Sequence, residues 1–149
     1  MRKAPPQVRI LVVDDFEPFR RFVCASLQAR PEWQVIAEAS DGLQAVQKAE
    51  ELKPDLILLD IGLPGLNGIE AARRIRKLSI NSKIVLVSAN RDLDIIQEAF
   101  RSGISGYVLK SAAGSQLFPA VKAVIQGEPF LCPCLRHDGL KDFTLIMQQ

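Results

Sequence analysis

ILVVDD, residues 10–15, sets four apolar residues directly before two adjacent acids. Val and Ile favour extended chain. An unbroken apolar run of this kind reads as a strand covered on both faces, as in a parallel sheet between helix layers. Two neighbouring carboxylates at its end repel each other, and the interior beneath them disfavours charge. Asp14 and Asp15 therefore need partners that other parts of the chain must supply.

The same pattern recurs along the chain. Strands are expected over 8–13, 34–39, 56–59, 83–87 and 106–109, with helix-period stretches between them. In the first helix Phe19, Phe22, Val23, Ser26 and Leu27 share a face, and Pro18 sits near its start. The second opens with Asp41 and Gln44 as a capping pair and carries Leu43, Val46 and Ala49 as its stripe. Asn67 and Glu70 open the third, with Ile69, Ala72 and Ile75 inward. The fourth runs from about 92 to 102 and stops at Gly103. The fifth runs from about 115 to 126, stops at Gly127, and turns Leu117, Val121, Val124 and Ile125 inward. Pro119 fits only in the first turn of such a helix. Trp33, near Pro31, reads as a packing residue at the entry to the second strand. Five strand–helix units with right-handed crossovers give an α/β fold with a doubly wound, five-stranded parallel sheet. Ligands of such sheets bind beyond the carboxyl ends of the strands.

Composition narrows the class. A chain of 149 residues with 48% hydrophobic and 24% charged residues suits one globular domain and not a disordered one. A net charge of +2 is too small to argue for nucleic acid or a membrane surface. No apolar run approaches bilayer length, and no long apolar segment precedes Asp14 to act as a secretory signal. Three cysteines are too few for a disulfide scaffold. The expectation is a cytoplasmic protein with no membrane partner.

The residues that follow the strands carry the chemistry. The first strand ends in Asp14 and Asp15, the third in Asp60, the fourth in Ser88 and the fifth in Lys110. Each alone is an ordinary turn former, cap or solvated charge; their conjunction at successive carboxyl ends is not. Three gathered carboxylates need a cation, and Mg²⁺ suits oxygen ligands while sharing them with a phosphate. With Lys110 and a metal to neutralise phosphoryl oxygens, Asp60 is the best placed nucleophile and Ser88 a hydrogen-bond donor.

VVDD, LLDIGLPGLNGIE, VSAN, AFRSGISGYVLK and VIQGEPFL, in this order and spacing, resemble the receiver domain of two-component response regulators. The likeness covers roughly residues 8–127, and its later segments resemble receivers of the helix-turn-helix transcription-factor subfamily. It implies a flavodoxin-like (βα)5 fold and a phosphoacceptor role for Asp60, charged by a partner histidine kinase or phosphotransfer protein. It implies Mg²⁺ on Asp14, Asp15, Asp60 and the backbone carbonyl of Gly62. Ser88 would be the switch hydroxyl, Lys110 the partner of the phosphoryl oxygens, and Tyr107 the aromatic whose ring turns inward when Ser88 moves. The fourth helix, fifth strand and fifth helix would form the output face, with a homodimer through that face or the tail. Such a protein would be a signalling switch and not an enzyme, its catalysis confined to its own phosphorylation and dephosphorylation.

Two departures stand out. Ser111 follows Lys110 where many receivers carry proline. Residues 1–127 form the expected receiver domain, and 128–149 a short tail with room for no complete output domain, so no direct nucleic-acid binding is expected of this chain. In the tail, Cys132, Cys134 and His137 hint at metal, but a zinc site wants a fourth ligand. Leu140, Phe143, Leu145, Ile146 and Met147 favour docking or self-association.

Three alternatives remain at this point. An aspartate-nucleophile phosphohydrolase of the haloacid-dehalogenase kind wants a second acid two residues after the nucleophile, where this chain has Gly62. A flavin-binding module wants a phosphate cradle where this chain has Asp-Asp-Phe-Glu-Pro. A degenerate receiver would serve only for docking.

Overall fold

The computed structural model describes residues 7–79 and 81–136. Its strands are β1 (Val8–Val13), β2 (Trp33–Ala39), β3 (Leu56–Leu59), β4 (Lys83–Ser88), β5 (Gly106–Leu109) and β6 (Phe130–Leu131). Its helices are α1 (Glu17–Gln28), α2 (Gly42–Leu52), α3 (Gly68–Leu78), α4 (Leu93–Arg101), α5 (Ala113–Ile125) and α6 (Pro133–Arg136). All strands pair in parallel, in the order β2-β1-β3-β4-β5-β6. The chain passes from β1 outward to β2 and returns to β3 on the other side of β1. The switch point of a doubly wound sheet therefore lies between β1 and β3. None of the helices among the described residues is long and apolar enough to cross a membrane.

Strand alternation divides the core in two. Ile10, Val12, Leu56, Leu58, Val85, Val87 and Val108 face α1 and α5 and pack on Val23, Leu27, Leu117 and Val121. Leu11, Val13, Ile57, Leu59, Ile84, Leu86 and Leu109 face the other way, onto Ala45, Ala49, Ala71, Ala72, Ile75, Ile96 and Phe100 of α2, α3 and α4. Small residues on α2 and α3 let those helices lie close to the sheet. The expected caps form: Asp41 accepts from the Gln44 amide at 2.8 Å and Asn67 from the Glu70 amide at 3.0 Å. Trp33 is buried against Phe118, with ring centroids 5.1 Å apart.

Several expectations need correction. The sheet has six strands, because Phe130–Leu131 pairs with Gly106 and Tyr107 at its edge. The buried stripe of α1 is Val23, Cys24 and Leu27, while Phe22 is exposed and leans on Phe19 at 5.9 Å. Leu43 is exposed, since Gly42, Ala45 and Ala49 form the inner face of α2. Ile125 also turns outward at the last residue of α5. A 3-10 turn over Lys110–Ala112 leads straight into α5, which starts at Ala113 and so holds Pro119 in its interior, beyond the first turn. The missing amide of Pro119 costs one helical hydrogen bond, and burial of Leu117, Ala120, Val121 and Val124 carries the helix past it.

Two glycines set how closely the loop after β3 packs. A Cβ on Gly68 would stand 2.0 Å from the backbone oxygen of Asp60, and one on Gly42 would stand 1.9 Å from that of Leu66. Neither obstacle is a flexible side chain. Gly68→Ala is therefore expected to cost about 1–3 kcal/mol, the usual range for overpacking. Gly114, inside α5 with no heavy atom within 4 Å of the added carbon, gives the contrasting substitution. Gly114→Ala should stabilise by about 0.5–1 kcal/mol. Urea unfolding of both variants checks the pair, and equal effects would refute the close-approach argument.

Candidate functional site

Asp14 and Asp60 reach the site because their strands are neighbours in register. Val13 pairs with Leu59, and the Asp60 amide continues the ladder to the Val13 carbonyl at 3.2 Å. Both acids are buried, with 3% and 7% of their surface exposed. Asp15 is exposed, yet one of its oxygens stays near those of Asp14 and Asp60. Lys110 follows β5, on the far side of β4, and its stem crosses that strand end. Its Nζ lies 2.9 Å from Asp14 Oδ2 and 3.2 Å from Asp60 Oδ2.

The partners of the paired acids are thus identified. Asp14 takes the ammonium on one oxygen and the Phe16 amide, at 2.8 Å, on the other. Arg20 fixes the turn by donating to the Asp14 backbone carbonyl at 2.7 Å and to Glu38 at 2.9 Å. The Phe19 ring lies 4.8 Å from the Lys110 ammonium, a cation–π contact.

The charge balance is uneven. Burial pushes the Asp60 carboxyl above its ordinary value, and Asp14 adds to this, against the opposing Lys110 ammonium and Gly62 amide. Burial works against the Lys110 charge, but hydrogen bonding and attraction from Asp14 and Asp60 outweigh it and hold the amine above its ordinary range. One cation shared by two buried anions leaves a negative remainder. Asp14, Asp15 and Asp60 each offer an oxygen, all within 4.8 Å of one another. Hard oxygen donors with one exposed member fit Mg²⁺, which keeps waters on its open side.

Asp60, Gly62, Ser88 and Lys110 line one open cleft of about 440 Å³, together with Ile61, Ala89 and Asn90. Ser88 is the last residue of β4 and is buried; its Oγ accepts from the Asn90 amide at 3.1 Å. The Tyr107 ring is fully buried, with β6 lying outside β5. Its hydroxyl donates to the Asn90 carbonyl at 2.7 Å. Burial pushes this phenol up, with Ser88 opposing. Asn90 thus joins Ser88 to Tyr107, a connection the sequence reading did not assign. Its signal was its place two residues after a strand-ending Ser, in VSAN, where an amide closes a turn on the hydroxyl. Arg20 and Phe19 were also missed as supports of the acids. Cys132 is buried and Cys134 half-buried; His137 and the tail's apolar cluster lie outside the described residues.

Parallel topology with acids at the switch point, a shared lysine and a serine-lined cleft defines a doubly wound α/β module with an acidic site at its carboxyl edge. The chain belongs to the response regulator receiver domain family, which it matches over residues 10–122. It is 33% identical over 143 residues to the transcriptional regulatory protein DegU of Brevibacillus brevis, covering 96% of this chain and 61% of the relative. It is 37% identical over 140 residues to the transcriptional regulatory protein LiaR of Bacillus subtilis, covering 89% and 66%. The chain therefore spans about three fifths to two thirds of the length of these relatives. A LuxR-family two-component response regulator from Aurantimonas superposes with a TM-score of 0.86 at 31% identity, covering 93% of this chain and 99% of that one. These likenesses place it among receivers of the helix-turn-helix transcription-factor subfamily.

Asp60→Asn is expected to stabilise the metal-free protein at neutral pH. The folded state raises the Asp60 pKa above its ordinary 3.8, so its ionisation opposes folding increasingly above that ordinary value and fully once the pH exceeds the raised one. The gain from Asn should be full at neutral pH. It should shrink as the pH falls through the raised value and vanish below about 3.8. Lys110 keeps Asp14 in the variant. Urea unfolding in chelator across this range tests it; no gain at pH 7 would refute it.

Proposed function

We propose that this receiver accepts a phosphoryl group on Asp60 from a partner histidine kinase or phosphotransfer protein, with Mg²⁺ as its cofactor. The observation that carries this reading is the Lys110 ammonium held 3.2 Å from Asp60 Oδ2, beside an open cleft and two further carboxylates. A carboxylate oxygen of Asp60 attacks phosphorus, the bond from phosphorus to the donor nitrogen breaks, and an acyl phosphate remains on the protein. Asp14, Asp15 and Asp60, with the Gly62 backbone carbonyl, would hold Mg²⁺, which supplies charge neutralisation to the phosphoryl oxygens. Lys110 exchanges its hold on the Asp60 carboxylate for a phosphoryl oxygen and keeps Asp14. Ser88 donates its hydroxyl to another.

The output follows from the change at Ser88. A hydroxyl drawn to the phosphoryl group loosens the Asn90 turn, and Asn90 carries the acceptor of Tyr107. Tyr107 then transmits the state to the surface made by α4, β5 and α5, through which a homodimer or downstream partner would read it. Catalysis is confined to the protein's own phosphorylation and dephosphorylation. The missing acid at Gly62 speaks against a phosphohydrolase.

Incubation with a small acyl-phosphate donor and Mg²⁺, followed by intact-mass measurement, is expected to show one added phosphoryl group. Chelator or Asp60→Asn should abolish it, and Asp15→Asn should raise the Mg²⁺ concentration required. A wild-type chain that takes up no phosphoryl group would refute the reading in favour of a docking module.

A further inference from the structure

Cys132 and Cys134 take no part in the carboxylate cleft, yet the fold brings them into contact. Their Sγ atoms are 3.2 Å apart. Pro133 stands between them at the first position of α6, where its ring fixes φ. Both flanks are anchored: the Cys132 amide donates to the Tyr107 carbonyl at 3.0 Å, and the Leu135 amide to the Cys132 carbonyl at 2.9 Å. Cys132 is fully buried, in the core with Leu131 and Leu135, whereas Cys134 is half-buried and reaches solvent. The third thiol, Cys24, packs on the opposite face of the sheet. Among the described residues no His, Asp or Glu joins the pair in a metal-ligating cluster. Two thiols in contact, one buried and one reaching solvent, suit redox chemistry.

We propose that Cys132 and Cys134 form a dithiol redox site that closes to a local disulfide, with Cys134 as the entry thiol for a small disulfide oxidant and Cys132 as the resolving thiol. Cys134 loses its proton to solvent and its sulfur attacks one sulfur of the oxidant. The oxidant's S–S bond breaks, and one thiolate leaves. Cys132 then loses its proton and attacks Cys134 Sγ, expelling the second thiolate. The protein dithiol is oxidised by two electrons, and one oxidant disulfide is reduced to two thiols. The exposure difference sets the order, since an incoming molecule meets only Cys134. The contact between the sulfurs makes the second step intramolecular and fast. The pair sits directly after β6, whose partner strand carries Tyr107, so closing constrains the edge of that strand. Its thiol chemistry uses none of the groups that line the Asp60 cleft.

Equilibration of the full chain with oxidised and reduced glutathione, acid quenching, alkylation and digestion with trypsin tests this. Cleavage after Lys122 and Arg136 leaves both cysteines on one peptide, 123–136. The expected product is that peptide two hydrogens lighter, unalkylated and restored by dithiothreitol, with Cys24 still reduced. Cys132→Ser should instead retain glutathione on Cys134. Cys134→Ser alters only a partly exposed side chain and should leave Cys132 unreacted. Three results would overturn the proposal: a wild-type chain that keeps a glutathione adduct on Cys134, one that stays a dithiol at every ratio tested, or a Cys134→Ser chain that still reacts at Cys132.

Discussion

Lys110 reaches past the end of β4 to place one ammonium between a carboxylate on β1 and another on β3. Two buried anions with no cation would be costly, and three strands meet at this edge. The shared charge lets Asp14 and Asp60 stay buried side by side. It does not neutralise both, since one positive charge faces two negative ones. The remainder is directed at the open side of the cleft, where Asp15 adds a third carboxylate. A deficit of this kind suits the edge to a hard cation.

The deficit is useful only if the acids cannot relax away from each other, and backbone packing prevents that. The Asp60 carbonyl abuts Gly68 at the start of α3, while the Leu66 carbonyl abuts Gly42 at the start of α2. The loop after β3 is therefore clamped between two helix starts, each with its own side-chain cap. On the β1 side, Arg20 and the Phe16 amide hold both ends of Asp14. The site is rigid on the strands that supply acids, whereas the loop after β4 is closed mainly through Ser88 and Asn90.

Much of this was legible in the sequence because a strand buried on both faces has little freedom in composition. LILL, KIVLVS and GYVL gave strand positions within a residue of those found, and the acids and Lys110 followed from where those runs stop. The sixth strand was not legible, because two residues of pairing leave no periodicity to read. Leu43 was misassigned since small residues, not large ones, line the tight helix–sheet contact of α2. Pro119 misled because a local penalty was weighed without the burial that offsets it. Asn90 escaped notice since it contributes an amide and a carbonyl rather than its side chain to the Ser88–Tyr107 link, and backbone roles leave little trace in residue identity.

That link has a physical consequence for the rest of the domain. A buried phenol needs a hydrogen-bond partner, and Tyr107 has found one on the loop that also closes on Ser88. The Ser88 oxygen accepts the Asn90 amide and retains a proton to donate. A ligand in the cleft that accepts this proton and draws the hydroxyl toward itself pulls on the turn that positions the Tyr107 acceptor. Beyond β5, the ring's own strand is tied to Leu131 and to the Cys132 amide. Cleft, buried ring and sheet edge are therefore joined by a few hydrogen bonds through Asn90 and Tyr107, and a shift at either end must be absorbed by the other or by the ring between them.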